Sequence, residues 1–378
     1  MVLVKTLCLT VNPLRIDEPE SRAAILRVAE ILRSGGLVAL PTETVYGLGA
    51  NALDPAAVAR IFAAKMRPSW DPIIVHIAGP ATPENPMLQQ LVTEIPETAR
   101  KLMTAFWPGP LTLLLPRSAA VPDAVTAGGP LVGIRMPAHP VATHVIRAAG
   151  VPVAAPSANL FSHTSPTTAD HVLHDLDGRI DAILNAGQAL HGVESTVLDP
   201  TRSPMVIYRP GAVTAALIRA VAGDVATHPT CNSGPAVNSG LEASSGLAIP
   251  PDSPPSPGAG IRHYAPKARL ILIEAPFADL PKSIAEAFSE HASSRAGIML
   301  PLELASTIPS GATVYPWGHW SAPEELAHNL YSGLRSLDLQ GCSVILCPIP
   351  PAEGIGAAIR DRLRKAAWEP GAPQATGA

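Results

Sequence analysis

One segment limits the folds open to this chain more than any other feature of its sequence. Between residues 223 and 260 the composition shifts to Ser, Gly, Pro, Ala and Asn. Such a mixture forms linkers rather than packed cores, and 378 residues are enough for two domains. We therefore predict one domain over residues 1–218, a linker over 219–268, a second domain over 269–368 and a loose tail over 369–378.

Apolar periodicity predicts the elements of the first domain. Helices are predicted at residues 18–34, 54–64, 140–149 and 214–221. Short apolar runs predict strands near the N-terminus and at residues 37–40, 73–77, 111–115, 131–134, 153–155, 182–184, 196–198 and 205–208. Because these elements do not alternate regularly, the fold class is predicted to be α/β with a twisted mixed sheet.

The pattern beyond the linker is more regular. Predicted strands alternate with predicted helices, at residues 270–273, 283–292, 297–300, 324–337, 344–347 and 356–368. This alternation predicts a smaller, Rossmann-like α/β domain with a parallel sheet. It contains no GxGxxG motif, so nothing in the sequence supports a dinucleotide role.

Charge and cysteine content exclude several classes of function. Charged residues make up 15 % of the chain and the net charge is −4, which argues against stable nucleic-acid binding or membrane-surface binding. The four cysteines form no CxxC pair, so we expect neither a disulfide framework nor a zinc site. No apolar run reaches about 18 residues, so no membrane span is expected. We therefore predict a cytoplasmic protein.

The common catalytic signatures are absent. The chain has no GxxxxGK[ST] loop, no HExxH, no GxSxG elbow and no kinase motif set. What remains is a series of polar clusters between prolines: PTETVYGLG (a predicted loop, 41–49), KMRPSWDPIIVH (65–76), VGIRMPAH (132–139), APSANLFSHTSPT (155–167), GVESTVLD (192–199) and YRPG (208–211). Any chemistry is expected in these clusters.

Three arginines share a position relative to proline. Arg67, Arg135 and Arg209 each stand one or two residues before a proline, which limits the freedom of the chain there. With Lys65 they predict a concave site for an anion of several charges, and a nucleoside triphosphate with Mg²⁺ fits that description. Spacing alone also allows compensation of a helix dipole by the cations and a buried structural role for His76.

The ordered set of motifs resembles a known family. PTETVYGLGANA, KMRPSWDPIIVH, WPGPLTLLL, GIRMP, APSANLFSHTSPT, ESTVLD and YRPGAVT, across about residues 20–218, resemble the YrdC-like threonylcarbamoyl-AMP synthases. SPGAGIRHYAPKARL, followed by a second α/β domain, resembles the long two-domain form of that family.

The resemblance implies a YrdC-like fold and a nucleotidyltransferase reaction. L-threonine, bicarbonate or CO₂, and ATP would give threonylcarbamoyl-AMP and pyrophosphate. The product would pass to the machinery that makes the threonylcarbamoyl modification of adenosine 37 in ANN-decoding tRNAs. ATP would be a substrate, Mg²⁺ its counterion, and no metal would be held by the protein itself.

The resemblance also implies roles for individual residues. The threonine side would be lined by Thr44, His76, Arg135, Ser157 and Ser195. The ATP side would be lined by Lys65, Arg67, Asp71, Asn159, Thr167, Arg209 and Tyr264. Lys65 and Arg67 would be the catalytic cations. Position 71 often holds Asn or another polar residue in this motif, so Asp71 is expected to bond the sugar or base rather than lie against a phosphate.

Other interpretations concern the serines, the linker and the reaction. Ser157 and Ser195 have no evident His–Asp partners, so they are interpreted as hydrogen-bond donors rather than nucleophiles. The linker carries His263 and Tyr264, which predicts a lid over the cleft. The alternatives are a carbamoyl-AMP-forming enzyme with a YrdC-like module, and a non-catalytic RNA-binding module.

Overall fold

The computed structural model describes residues 5–229, 256, 263–291, 293–307 and 309–367. The predicted tail and most of the central part of the predicted linker lie outside the described residues. Three parts of the chain are distinguished below: the first unit (residues 5–229), the connecting segment (263–268) and the second unit (269–367).

The first unit is built on one mixed sheet, which has eleven strands among the described residues. They are β1 Leu7–Thr10, β2 Val38–Leu40, β3 Gly47–Asn51, β4 Val75–His76, β5 Leu111–Pro116, β6 Leu131–Arg135, β7 Val153–Ala154, β8 Ala182–Asn185, β9 Thr196–Asp199, β10 Met205–Arg209 and β11 Val225–Thr227. Their order is β1-β8-β2-β3-β7-β4-β6-β5-β9-β10-β11. This confirms the predicted α/β class with a mixed sheet.

Helices cover this sheet and bury their apolar sides against it. They are α1 Pro19–Arg33, α2 Pro55–Lys65, α3 Pro86–Leu91, α4 Glu97–Phe106, α5 Asp123–Thr126, α6 Pro140–Ala149, α7 Ala169–Leu176 and α8 Ala215–Ala222. Helix α2 has a defined start and end. The Asp54 side chain accepts from two backbone N–H groups of its first turn, and Met66 ends it in the left-handed region at φ 54°. That turn sets the direction of the chain at Arg67.

The second unit is a four-stranded parallel sheet. Its strands are β12 Arg269–Ile273, β13 Ala296–Pro301, β14 Thr313–Gly318 and β15 Val344–Pro348, in the order β12-β15-β13-β14. The helices between and after the strands are α9 Leu280–Glu290, α10 Pro323–Leu339 and α11 Gly356–Ala367. The smaller α/β domain predicted from the alternating pattern is therefore confirmed.

The two units share an apolar interface. Val45 and Val193 of the first unit pack in one cluster with Leu330 and Tyr331 of α10. Gly192 adopts φ +71°, and a Cβ at that position would lie 2.4 Å from the Ala327 carbonyl oxygen. Only glycine allows the backbone of α10 to approach this loop so closely.

Several elements differ from the sequence-based expectation. Residues 41–49 were expected to form a loop, but β3 begins at Gly47. Gly49 is crowded there, because an added Cβ would lie 2.9 Å from Val153 Cγ1 and 3.2 Å from the Val38 carbonyl oxygen. The prediction also placed no helix at α3, α4, α5 or α7, and no strand at β14. Pro316 lies inside β14 and argues against a strand, but it is tolerated because β14 is an edge strand.

The predicted linker also begins inside folded structure. The last turn of α8 lies beyond residue 218, and β11 pairs in parallel with β10 as part of the first sheet. At the other end, the connecting segment is packed rather than exposed, with Tyr264 1 % exposed. The polar composition of the stretch concealed these short ordered parts.

Candidate active site

A small cavity lies where one edge of the first sheet meets the connecting segment. The C-terminal ends of β4, β6 and β10 and the N-terminal ends of β5 and β9 all point to this edge, because β5 and β9 run opposite to the other three. The cavity has a volume of about 50 Å³. Eight residues predicted for the site line it: Thr44, Arg67, His76, Arg135, Ser157, Ser195, Arg209 and Tyr264.

Arg135 organises one wall of the cavity. Its guanidinium donates to Thr44 Oγ1 at 2.8 Å and forms an ion pair with Glu43 at 2.6 Å. Both side chains of the ion pair are buried. Burial alone would raise the pKa of Glu43, but the Arg135 charge lowers it overall. This carboxylate is therefore ionised and serves as the partner of Arg135.

A second wall joins β5, β9 and β10 through a serine. Ser195 Oγ lies 2.8 Å from Thr112 Oγ1 and accepts from Arg209 Nη2 at 3.1 Å. Arg209 Nε also donates to the Ser195 carbonyl oxygen at 3.0 Å. Within this set no histidine contacts Ser195, so the geometry matches a hydrogen-bonding serine rather than an activated nucleophile.

The cations after α2 are held by buried acceptors. Arg67 pairs with Asp71 at 2.9 Å and donates to the carbonyl oxygens of Asp71 and Pro72. Lys65 donates to the carbonyl oxygens of Ser157 (2.6 Å) and Asn159 (2.5 Å). Burial and the nearby Arg67 charge lower the pKa of Lys65 well below its usual value. Of these residues, Arg67 and Ser157 line the cavity; Lys65, Asp71 and Asn159 stand behind that lining.

Thr167 is the predicted site residue that the structure places apart from the others. Its hydroxyl lies 3.0 Å from Ser332 Oγ of α10 and 3.3 Å from His171 Nδ1. It does not line the cavity. Thr167 instead takes part in the contact between the two units.

The connecting segment closes the cavity from above. Tyr264 has φ 62°, in the left-handed region, and its ring centroid lies 4.2 Å from that of His263 and 6.0 Å from that of Tyr331. Ala265 pairs with His163 in an isolated bridge, which fastens the segment to the first unit. Two linker residues that stood out in the sequence are thus part of the cavity lining.

Apart from the atoms of the Glu43–Arg135 pair, five buried side-chain polar atoms around this cavity have no hydrogen-bond partner among the described residues. They are His76 Nδ1, Asn159 Oδ1, Tyr264 Oη and both ring nitrogens of His263. Buried polar atoms in folded proteins are nearly always satisfied, so such a group of orphans is unusual. Burial, with the Arg135 charge, also lowers the pKa of His76 to about 3, so its ring is neutral near pH 7.

The sequence analysis assigned no site role to four residues of this region. Thr112 lies within the WPGPLTLLL motif, whose alternation could have placed its side chain on the cavity edge. Glu194 precedes Ser195 and lines the cavity. Tyr331 and Arg362, from the second unit, both contact Glu194, and no local signal marks them because their partners are more than 130 residues away in the sequence.

Family models cover nearly the whole chain. The model described as "Telomere recombination", which takes in YrdC-like proteins, matches residues 30–211. The model described as "Threonylcarbamoyl-AMP synthase, C-terminal domain" matches residues 213–368. The chain belongs to the threonylcarbamoyl-AMP synthase family. The resemblance of the sequence motifs to the two-domain form of this family is thereby confirmed.

Relatives of this family align over almost their full length. A threonylcarbamoyl-AMP synthase of Pyrococcus abyssi is 41 % identical over 93 % of this chain and 95 % of that protein. One of Bacillus subtilis is 42 % identical over 91 % of this chain and 92 % of that protein. The crystal structure of P. abyssi Sua5 complexed with L-threonine matches with a TM-score of 0.85 and 39 % identity, covering 96 % of this chain and 98 % of that one.

The residues that the structure describes contain neither a metal-binding cluster nor a membrane-spanning helix. No group of three or more His, Cys, Asp or Glu side chains there is arranged to hold a metal ion. Within the same ranges, no helix combines the length and the apolar character needed to cross a membrane.

Proposed function

We propose that this member of the threonylcarbamoyl-AMP synthase family converts L-threonine, bicarbonate or CO₂, and ATP into threonylcarbamoyl-AMP and pyrophosphate. The observation that carries the proposal is the single cavity on which Arg67, Arg135 and Arg209 converge. Three buried guanidinium groups suit a substrate set that brings a carboxylate and a triphosphate together.

Threonine is proposed to bind on the Arg135 side. Its carboxylate would accept hydrogen bonds from the guanidinium of Arg135. Thr44, Ser157 and Ser195 would form hydrogen bonds with its amine and hydroxyl groups. His76 has a depressed pKa and one unsatisfied nitrogen. It therefore suits a neutral hydrogen-bond partner of threonine better than a base that takes the amine proton.

ATP is proposed to bind on the Arg67 and Arg209 side, with Lys65, Asp71 and Asn159 behind the cavity lining. Thr167, which contacts Ser332 of the second unit instead, is not assigned to ATP. In each cycle the neutral threonine amine would attack CO₂, with loss of a proton, or bicarbonate, with loss of water, to give a carbamate. A carbamate oxygen would then attack the α-phosphorus, and pyrophosphate would leave. Lys65 and Arg67 would stabilise the charge on the phosphates, and no covalent enzyme intermediate is needed.

The size of the cavity supports a lid role for the connecting segment. A volume of about 50 Å³ holds only a few water-sized positions, far fewer than a nucleoside triphosphate needs. Tyr264 and His263 are buried in this space, and the polar atoms of their side chains lack hydrogen-bond partners among the described residues. We propose that the segment withdraws to admit ATP and then closes on it, which would exclude water from the labile carbamate and anhydride.

Magnesium is proposed to arrive with ATP. The carboxylates nearest the cavity, Glu43, Asp71 and Glu194, each pair with an arginine. The ion would accordingly be bound mainly by phosphate oxygens and water, as Mg²⁺ commonly is.

The product is proposed to pass to the enzymes that transfer threonylcarbamoyl to adenosine 37 of ANN-decoding tRNAs. The chain itself is not expected to bind tRNA stably, because its net charge is −4. Both ATP and tRNA are cytoplasmic, which supports the cytoplasm as its place of action.

Incubation with ATP, Mg²⁺, L-threonine and labelled bicarbonate tests this function. We expect label in an adenylate whose formation requires threonine, together with pyrophosphate release. Omission of threonine is the control, and pyrophosphate release at the same rate without threonine would contradict the proposal.

A further inference from the structure

One arginine of the second unit reaches the wall of the cavity without lining it. Arg362 lies on α11 and is 1 % exposed. Its Nη1 pairs with Asp361 at 2.5 Å, and Asp361 also pairs with Lys365 at 3.0 Å. The guanidinium is therefore fixed in direction before any substrate binds.

The other contacts of Arg362 reach three separate segments around the cavity. Nε donates to Glu194 Oε2 at 2.8 Å, and Nη2 donates to the Pro210 carbonyl oxygen at 3.0 Å. Its Cζ lies 5.2 Å from the centroid of the Tyr264 ring, within the range of a cation–π contact.

Each of these segments carries a group that faces the substrates in the proposed function. Glu194 immediately precedes Ser195, and Pro210 immediately follows Arg209. Tyr264 closes the cavity itself. A single side chain of the second unit thus holds the threonine wall, the phosphate wall and the connecting segment in one arrangement.

Glu194 depends on this arginine for its charge balance. It accepts hydrogen bonds from Ser165 (2.5 Å), Tyr331 (2.9 Å) and Arg362. Burial alone would raise the pKa of Glu194, but the charges of Arg362 and Arg209 lower it to about 2. The charged and titratable groups that face it are Arg362, Arg209, Tyr331, Tyr264 and His263.

We propose that Arg362 is a positioning residue for adenylate formation, through which the second unit sets the geometry of Ser195, Arg209 and Tyr264. This inference rests on the proposed function, because that function assigns the three groups to substrates. It gives the second unit a part in the reaction, although none of its residues lines the cavity.

Another buried ion pair between the units provides a control that distinguishes a positioning role from a purely structural contact. Arg335 of α10 pairs with Asp175 of α7 at 2.8 Å, and both side chains are buried. Neither residue lines the cavity. Arg335→Met therefore removes a comparable contact from the same interface and serves as the matched control for Arg362→Met.

The first test compares these variants in kcat/KM for L-threonine and in thermal stability. Both should lose stability, but Arg362→Met should lose about 10- to 100-fold in kcat/KM, as small displacements of reacting groups do. Arg335→Met should change kcat/KM little. Arg362→Lys keeps the charge without the planar fork, so intermediate activity is expected, and it keeps the comparison decisive if Arg362→Met does not fold. Equal kinetic losses in the Arg362 and Arg335 variants would overturn the proposal.

The second test uses the charge of Glu194. In Arg362→Met, the carboxyl loses its nearest positive partner, so its pKa should rise and kcat/KM should increase with pH as Glu194 ionises. The double variant Glu194→Gln, Arg362→Met has no carboxyl to titrate. It should lack this pH dependence and stay near the low-pH activity of Arg362→Met, because the neutral amide stands in for the protonated carboxyl. A double variant that matches Arg362→Met at every pH would contradict the proposal.

Calorimetric titration with L-threonine separates this inference from the proposed reaction. Binding requires no turnover, so it can be measured even if the parent chain forms no adenylate. We expect about tenfold weaker threonine binding in Arg362→Met than in Arg335→Met. Equal affinity in the two would refute the positioning role, whereas a missing adenylate in the parent would refute the reaction alone.

Discussion

The carboxylate of Asp71 lies 2.9 Å from the guanidinium of Arg67, and both side chains are 3 % exposed. The residue expected to bond a sugar or base instead carries the countercharge of a cation proposed to meet phosphate. The charge of Arg67 is thus neutralised by Asp71 before ATP binds, so the guanidinium is not fully available to the phosphates. The pair must loosen, or be joined by the triphosphate, during binding.

Asp71→Asn should strengthen ATP binding and lower the free energy of unfolding of the protein without ATP. The amide keeps the shape of the side chain but removes its charge, which leaves the buried Arg67 without the countercharge of Asp71. Removing one partner of a buried ion pair costs about 3–5 kcal/mol, and bound ATP should restore part of that loss. Urea unfolding with and without ATP, together with KM for ATP, measures both effects. An unchanged KM would show that Asp71 does not compete with the phosphates.

Arg67→Ala and Arg209→Ala should each reduce ATP affinity about 10- to 100-fold, since a hydrogen bond to a charged group contributes about 1.5–3 kcal/mol. Calorimetry with a non-hydrolysable ATP analogue measures this directly. Arg100→Ala is a suitable control, because its side chain is 47 % exposed on α4, away from the cavity. If both cavity variants keep the parent affinity, the arginines do not form a phosphate site.

The lid proposal predicts that the His263→Ala, Tyr264→Ala double variant loses intermediate to water. Without the two rings the cavity should stay open, so the ratio of AMP to intact threonylcarbamoyl-AMP should rise severalfold in a single turnover. Tyr264→Phe keeps the ring but lacks the hydroxyl, so it distinguishes the effect of the ring's volume from that of the hydroxyl. A double variant with the parent ratio and the parent rate would reduce the segment to a simple connection.

Sequence patterns predicted the residues that line this cavity better than the residues that hold the lining in place. Arg135 and Arg209 could be placed at strand ends because apolar runs mark β6 and β10, and proline marks the turn after each. Nothing comparable marks Arg362, whose helix shows ordinary amphipathic spacing and whose partner lies 168 residues earlier. Its role depends on how two units pack, and local propensity contains no information on that packing.

Acid should reveal the contribution of Glu194 to stability. Its pKa of about 2, against an ordinary 4.5, means that the ionised form stabilises the fold above pH 4.5 and that this contribution is lost as the pH falls toward 2. The difference corresponds to about 3 kcal/mol. The free energy of unfolding should therefore fall more steeply over this range in the parent than in Glu194→Gln. Glu97→Gln, at a side chain 74 % exposed, should keep the slope of the parent; equal slopes in all three would contradict the prediction.

Gly192 offers a test of how closely the units pack. Gly192→Ala places a methyl group 2.4 Å from the Ala327 carbonyl oxygen and 2.6 Å from His328 Cα, so α10 must shift. Gly150→Ala is the matched control, because Gly150 has a similar φ of +69° but nothing within 4 Å of the added Cβ.

The control should lose only about 1–2 kcal/mol in the free energy of unfolding, the cost of placing alanine in the left-handed region. Gly192→Ala should lose more stability and should also have a lower kcat/KM for threonine. The kinetic effect is expected because Glu194 and Ser195 follow Gly192 directly, and a displaced α10 would carry Tyr331 away from Glu194. Urea unfolding and steady-state kinetics of the two variants measure both consequences. Equal stability losses with unchanged kinetics would show that the interface adapts without disturbing the cavity.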